Sequence, residues 1–265
     1  MSVYADVLRY RELFGNLFRR DLRVKYRGSV LGLVWSLANP LALMGVYFLV
    51  FAVIWTGAGQ PPHYPLFLLT GLTMWLFFGV SLQTASTSMI AWSGLIQKVR
   101  FPRQLVAFSV VATQLVTFAV MLGILIAFSL LTVPEARGTV WLALPLGALF
   151  AALVFGLGLL LASVNVLFRD VEHILEALLL PWFFLTPVLY HLESITGFQD
   201  HHTLVQVLRW GNFVTPPIYA LRAVIWEGRL PGAADLVYLA VAAALALLAG
   251  AFVFTRVDDR IAVEL

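Results

Sequence analysis

Asp170, Glu172, His173 and Glu176 crowd three carboxylates and an imidazole into one short stretch, just after Asn165 and Arg169. Such a cluster would do acid–base work or hold a metal, and His173 and Glu176 have the three-residue spacing of half a helical metal site. No second pair of that kind exists to complete it. Arg169 directly beside Asp170 instead fits a junction between membrane spans, where opposite charges lower each other's desolvation cost and pin a loop. Other reactive groups are missing outright. The chain has no cysteine, which removes thiolate metal sites, disulfides and cysteine nucleophiles. It also lacks a phosphate-cradling loop: Gly156-Leu157-Gly158 has Leu161 at the next required glycine, and no glycine–lysine–serine or –threonine occurs. Such a chain does not hydrolyse ATP alone.

Cations are the second source of chemistry. Arg9, Arg11, Arg19, Arg20, Arg23, Lys25 and Arg27 precede the first long apolar run. At about 100° per residue, Tyr10, Leu13, Phe14, Leu17, Phe18, Leu22 and Val24 fall on one side of a helix and Arg9, Glu12, Arg19, Arg20, Arg23 and Arg27 on the other. A helix of this kind lies on a lipid surface or cradles a partner. The segment is too charged for too long to be a cleavable signal, so the first span is expected to be retained.

Of the 265 residues, 61% are hydrophobic and 12% charged, about half the charge of a soluble domain. Apolar runs near 33–56, 66–91, 105–133, 140–164, 174–191 and 235–255 each approach the roughly 20 residues that cross a bilayer. The fold class is therefore all-α integral membrane: a single transmembrane domain over 1–265 with six spans. Residues 1–32 form an interface helix and the entry to span one. Six crossings put both termini on one side. That side carries the N-terminal cations, Lys98, Arg100, Arg103, Arg169, Arg256 and Arg260, against Arg137, Arg209, Arg222 and Arg229 on the other. The positive-inside rule makes the richer side cytoplasmic. The formal charge of +3 clusters beside spans, which selects anionic lipid rather than nucleic acid as its counter-charge.

The outer connection 192–234 contains two apolar pieces, near 203–210 and 216–226, separated by Asn212 and Pro216-Pro217. Proline disfavours one continuous helix, and each piece is short of a span, so two half-helices at the outer face are expected. Trp210, Tyr219 and Trp226 suit an interface.

Three motifs stand out against this frame. Lys25-Tyr26-Arg27-Gly28-Ser29 with Leu31-Gly32, Trp35 and Asn39-Pro40 runs from the basic helix into span one. Leu95-Ile96-Gln97-Lys98-Val99-Arg100-Phe101-Pro102-Arg103 interleaves apolar and cationic residues between spans two and three, as a peg would if its apolar residues entered a partner's groove while its cations paired with acidic groups. Asn165, Arg169-Asp170 and the later Pro187-Val188-Leu189-Tyr190 form the third.

Together these motifs resemble the membrane subunit of type-2 ABC exporters for cell-surface polysaccharides, the permeases of O-antigen, capsule, teichoic acid and galactan export. The resemblance covers essentially the whole chain. The lysine–tyrosine–arginine entry falls on Lys25, Tyr26 and Arg27, with Trp35, Asn39 and Pro40 after it. The coupling segment falls on Lys98, Phe101, Pro102 and Arg103, the asparagine and arginine–aspartate on Asn165, Arg169 and Asp170, and the proline–valine–leucine–tyrosine on Pro187 to Tyr190. One departure is that Asn212 is followed by Phe213, with proline arriving only at Pro216, where many relatives have asparagine–proline.

The resemblance implies a permease subunit of the bacterial plasma membrane that dimerises with a second copy. It would dock two separate ATP-binding cassette subunits, which hold ATP and Mg, and move a lipid-linked glycan. Arg19, Arg20, Arg23, Gln97, Lys98, Arg100, Phe101, Pro102 and Arg103 would be the ATPase-docking residues, with Arg169 and Asp170 near a second contact. Sugar rings sliding through a conduit suit aromatic faces, and the resemblance raises spans one, two and five as walls. Trp35, Tyr47, Phe51, Trp75, Phe78, Trp182 and Phe183 are the favoured lining. Gln83, Thr84, Ser86, Thr87, Gln114 and Asn165 are expected to bond helix to helix, and Gly123, Gly156 and Gly158 to allow close packing. A drug or small-lipid exporter of the same family is the nearest alternative. A secondary transporter would show ionisable residues at mid-span, and these spans are almost free of them.

Overall fold

The structure is a computed structural model that describes residues 3–26, 34–50, 63–99, 101–192 and 202–264, with the side chains of 26, 34–37, 39, 40, 202 and 262–264 outside the description. Among the described residues the chain is helical throughout: α1 (Ala5–Arg9), α2 (Arg11–Tyr26), α3 (Val34–Phe48), α4 (Tyr64–Ala91), α5 (Ser93–Ile96), α6 (Gln104–Thr132), α7 (Ala143–Leu167), α8 (Asp170–Leu185), α9 (His202–Gln206), α10 (Thr215–Ile225) and α11 (Ala233–Glu264). Short 3-10 turns at Pro134–Gly138 and Val140–Leu142 join α6 to α7.

Four segments among the described residues are long and apolar enough to span a membrane: Tyr64–Ala91, Gln104–Thr132, Val140–Leu167 and Ala233–Ile261. Six were expected. The first expected span, 33–56, is represented by α3, and its remainder runs past the described residues. The fifth is shorter than its apolar run suggests. Its helix α8 has 16 residues, about 24 Å at about 1.5 Å per residue, and it ends at Leu185 instead of near 191. Thr186 turns extended, with φ −90° and ψ 132°, because a residue preceding proline is pushed out of the helical region and Pro187 follows it.

At the junction of α7 and α11 the backbones touch. A Cβ on Gly156 would lie 2.4 Å from the Ala246 carbonyl carbon, and one on Gly250 would lie 2.4 Å from the Gly156 carbonyl oxygen. Gly158 is less tightly packed, its added Cβ lying 3.0 Å from Val111 Cγ2 and 3.2 Å from Ala85 Cβ. Gly123 differs from expectation: nothing lies within 4 Å of its added Cβ, so α6 is not packed there.

The two short helical pieces of 192–234 are present. α9 runs into a π turn over Val207–Gly211, and α10 starts at Thr215 with proline in its first turn, where a missing N–H costs nothing. Every residue of α10 is buried. Its final carbonyls would be orphaned there, and neighbours supply donors: Ser129 Oγ donates to Ile225 O at 2.6 Å and Thr139 Oγ1 to Val224 O at 3.0 Å. Asn212 makes the turn before it, its Oδ1 accepting from Val214 N at 3.1 Å.

Candidate functional site

The basic helix does not stand alone. α2 packs its apolar face along α6, with Leu17 buried and Leu13, Phe14, Phe18 and Leu22 half-buried, although Val24, assigned to that face, is exposed. Two polar contacts, from Asp21 and Lys25, fix the pairing, and a third, at Asp6, fastens α1 to the same helix. Gln104 Nε2 donates to Asp6 Oδ2 at 2.8 Å, Ser109 Oγ to Asp21 Oδ2 at 2.7 Å, and Lys25 Nζ to Gln114 Oε1 at 2.7 Å. Burial pushes the Asp21 carboxyl above its ordinary range, partly offset by the Ser109 hydrogen bond and the Arg20 charge. The outward face carries Arg19, Arg20 and Arg23, which with Asn16 and Val24 line an open groove of about 780 Å³. Arg20 also reaches sideways, its guanidinium carbon 3.9 Å from the centre of the Trp92 ring. Trp92 ends α4 and starts the segment that leads to 95–103, so the two expected docking elements touch.

That segment is a turn of helix, α5, whose Ile96 is buried in a cluster with Met89, Val106, Phe108, Leu159 and Phe254. Phe101 packs half-buried against the same cluster. Gln97, Lys98 and Val99 form the exposed tip, and Arg100 lies outside the described residues. Arg103 has a partner within the chain: its Nη1 donates to Asp258 Oδ1 at 2.8 Å and to the Asp258 carbonyl. It thereby ties the root of the peg to the end of α11.

Arg169 and Asp170 are exposed at the start of α8, and among the described residues no ion pair joins them. Asn165 performs the pinning expected of that pair. Completely buried, it donates from Nδ2 to Ser86 O at 3.0 Å and accepts the Glu172 N–H on Oδ1 at 3.1 Å, which joins α7, α4 and α8 at one point. No group of three or more potential metal ligands occurs among the described residues.

Five of the seven aromatic residues assigned to the conduit form one connected group. Trp75 touches Phe78, Trp182 and Phe183 at centroid distances of 5.6, 6.2 and 5.7 Å, Phe78 meets Trp182 at 5.3 Å, and Tyr47 meets Phe183 at 6.1 Å. Phe213 joins at 4.9 Å from Trp182. The side chain of Trp35 and the whole of Phe51 lie outside the described residues. Within one copy Trp75, Phe78 and Phe183 are buried, while Tyr47 and Trp182 are partly open and Phe184 is exposed. Asn212 locks the group: its Oδ1 accepts from Trp182 Nε1 at 3.1 Å and its Nδ2 donates to Thr186 Oγ1 at 2.8 Å.

One residue has a role that loop charge counting misses. Arg222 on α10 is 1% exposed. Its Nη1 donates to Pro187 O and its Nη2 to Val188 O, both at 2.6 Å, and its guanidinium carbon sits 3.4 Å from the centre of the Phe67 ring. Gly71 makes the room, since a Cβ there would lie 2.7 Å from Nη2. Arg222 therefore clamps the irregular chain after α8 against α4 and α10. Arg209 is likewise engaged, with Asp235 at 2.7 Å and over Tyr219 at 3.5 Å. A visible signal was an arginine inside the apolar run Ile218–Ile225.

The family model described as ABC-2 type transporter matches residues 12–226. The chain is 35% identical over 258 residues to an O-antigen export system permease protein, RfbA, of Myxococcus xanthus, covering 96% of this chain and 95% of that one. A protein of the same name from Klebsiella pneumoniae is 34% identical over 66% of this chain and 68% of its own length. The polysialic acid transport protein KpsM of Escherichia coli is 25% identical over 68% and 70% respectively.

Proposed function

The chain belongs to the ABC-2 type transporter family, and on that premise we propose that it is the transmembrane subunit of an ATP-driven exporter of a lipid-linked polysaccharide. Two copies form a conduit in the plasma membrane, with both termini cytoplasmic. Two separate ATPase subunits, which hold ATP and Mg, dock on the cytoplasmic face. The observation that carries this reading is the end-to-end similarity to the O-antigen export permease of Myxococcus xanthus. A sequence without a phosphate-binding loop needs that second subunit.

The docking surface is α2 with 95–103. Lys98 and Val99 at the exposed tip enter an ATPase groove, and Phe101 transmits its movement into the cluster around Ile96 and Met89. Arg103 holds the root still through Asp258. Arg19, Arg20 and Arg23 face acidic groups of the ATPase or lipid phosphates beside it. Arg169 and Asp170 lie at a second contact. ATP-driven closure of the ATPases parts the two copies, and Tyr47 and Trp182 present aromatic faces to the sugar chain, backed by Trp75, Phe78 and Phe183. Trp35 and Phe51 belong to the same wall through span one.

Purification of the tagged chain from its host's membranes tests the partnership. A cassette ATPase is expected to copurify in equal amount and to be lost with Lys98→Glu plus Phe101→Ala, while the permease stays folded. Survival of both copurification and export in that variant removes 95–103 from the coupling role.

A further inference from the structure

Polar side chains inside spans ordinarily bond to neighbouring helices, and on α4 they divide into two sets. Ser86 and Ser88 are buried and donate to their own helix, to Gln83 O at 2.8 Å and Ala85 O at 2.7 Å. Gln83 is exposed, and its amide has no partner among the described residues. Thr84 and Thr87 beside it are half-buried and return their hydroxyl protons to the helix, to Val80 O at 2.7 Å and Thr84 O at 3.4 Å. α4 is the most enclosed of the four candidate spans. Beyond Trp75 its opening is confined to Leu76, Val80, Gln83, Thr84, Thr87, Ile90 and Ala91. At about 100° per residue these fall on one side of the helix.

α11 shows what a lipid-facing stripe looks like in this molecule. Between Ala233 and Phe252 its large exposed residues are Val237, Val241, Leu245, Leu248 and Phe252, and every other exposed position there is alanine, whereas its exposed polar and charged residues begin only at Thr255. The α4 stripe is unlike it, because an amide turned toward hydrocarbon forfeits its hydrogen bonds. The stripe carries no charged side chain, so it supplies no counter-charge and favours a neutral ligand over an ionic one. Its upper end borders Trp75, about 80° round the helix from Gln83, and so continues from the aromatic group into the half of α4 that leads to 95–103.

We propose that this stripe is a hydrated binding track for a neutral, hydroxyl-rich polymer. The inference deepens the polysaccharide-export reading and rests on it. Gln83 supplies two N–H donors and a carbonyl acceptor. The oxygens of Thr84 and Thr87, their protons already given to the backbone, accept from sugar hydroxyls. The threonine methyls and Val80 meet the apolar faces of the rings. From Leu76 to Ala91 the track is about 22 Å long at about 1.5 Å per residue, with no deep pocket to arrest a sliding chain.

The absence of native cysteine makes single-cysteine scanning in the intact transporter a clean test. Gln83→Cys and Thr87→Cys, with Val241→Cys and Leu245→Cys as lipid-facing references, are exposed in membrane vesicles of both orientations to a membrane-impermeant methanethiosulfonate reagent. Positions 83 and 87 are expected to react at least tenfold faster than 241 and 245. Reaction no faster than the references overturns the track, as does oxidative cross-linking of two copies through position 83, which would make the stripe a contact between protomers. Gln83→Leu, at wild-type abundance and with its ATPase bound, should lower surface polymer about fivefold, the size of one hydrogen bond, with Gln83→Asn partly restoring it. Unchanged export in Gln83→Leu overturns the sugar contact. The accessibility readout needs no substrate, so failure of the export reading itself, seen as no surface polymer dependent on the wild-type gene, is distinguishable.

Discussion

The Arg20 guanidinium stacks over the Trp92 ring at 3.9 Å and joins the basic helix α2 to the start of the segment 95–103. Two elements far apart in sequence are thus in direct contact at the end of the bundle that we assign to the cytoplasm. A cation–π contact at an exposed site is worth about 0.5–1 kcal/mol. Arg20→Gln and Trp92→Leu should each lower ATP-driven export about two- to fivefold, and the double variant should cost no more than either alone. A double-mutant cycle on transport-coupled ATP hydrolysis reads this directly.

Arg222, buried on α10, holds the chain after α8 in place. Truncating it to alanine strands the carbonyls of Pro187 and Val188 and opens a cavity, a loss of about 3–5 kcal/mol. Gly71→Ala attacks the same clamp from the other side, with its Cβ 2.7 Å from Nη2 and 2.8 Å from the Val188 carbonyl. Both variants are expected to lower the unfolding temperature of the detergent-purified protein, and Arg222→Lys, which keeps the charge but not the fork, to fall between.

Close approach of α7 to α11 leaves no space for a methyl group. Gly156→Ala and Gly250→Ala each drive a Cβ to 2.4 Å from backbone atoms, and backbone cannot rotate away as a side chain can. Overpacking of this kind costs about 1–3 kcal/mol or more. Gly123→Ala, with nothing within 4 Å of its Cβ, should leave thermal stability of the isolated chain unchanged. Unfolding temperatures of the three variants side by side decide the point.

Asp21 gives the docking of α2 a pH dependence. Burial raises its carboxyl above the ordinary value of 3.8, so the folded state holds the proton more tightly than the unfolded chain. Its contribution is fully present below the ordinary value and is lost as pH rises through the raised one. Asp21→Asn should keep a partner for Ser109, remove the charge penalty at neutral pH and flatten stability against pH in that window. Proteolytic release of α2 followed from pH 4 to 7 measures it.

Much of the fold was readable because apolar run length reports spans directly, and four of six expected spans meet the length and composition of a crossing helix. The fifth was overextended because the run 174–191 is predominantly apolar, whereas Pro187 acts on Thr186 through backbone sterics that composition does not register. The aromatic group was legible in part: Tyr47, Trp75, Phe78, Trp182 and Phe183 do meet, but Phe213 joined them unforeseen, brought in by the Asn212 turn. An arginine inside the apolar run 218–225 was visible, but the partners of Arg222 and the Arg103–Asp258 pair were not legible, because they depend on which helices adjoin. Gln83, expected to bond to a neighbouring helix, instead faces outward, a distinction that side-chain polarity cannot make.

The central claim is export of a lipid-linked polysaccharide by this permease with a separate ATPase. The most direct measurement is the distribution of that polymer between the cell surface and the cytoplasmic face of the membrane in a strain lacking the gene. Surface polymer should disappear, lipid-linked polymer should accumulate inside, and the wild-type gene should restore the surface fraction while the Lys98→Glu plus Phe101→Ala variant should not. Unchanged surface polysaccharide in the deletion strain would contradict the account.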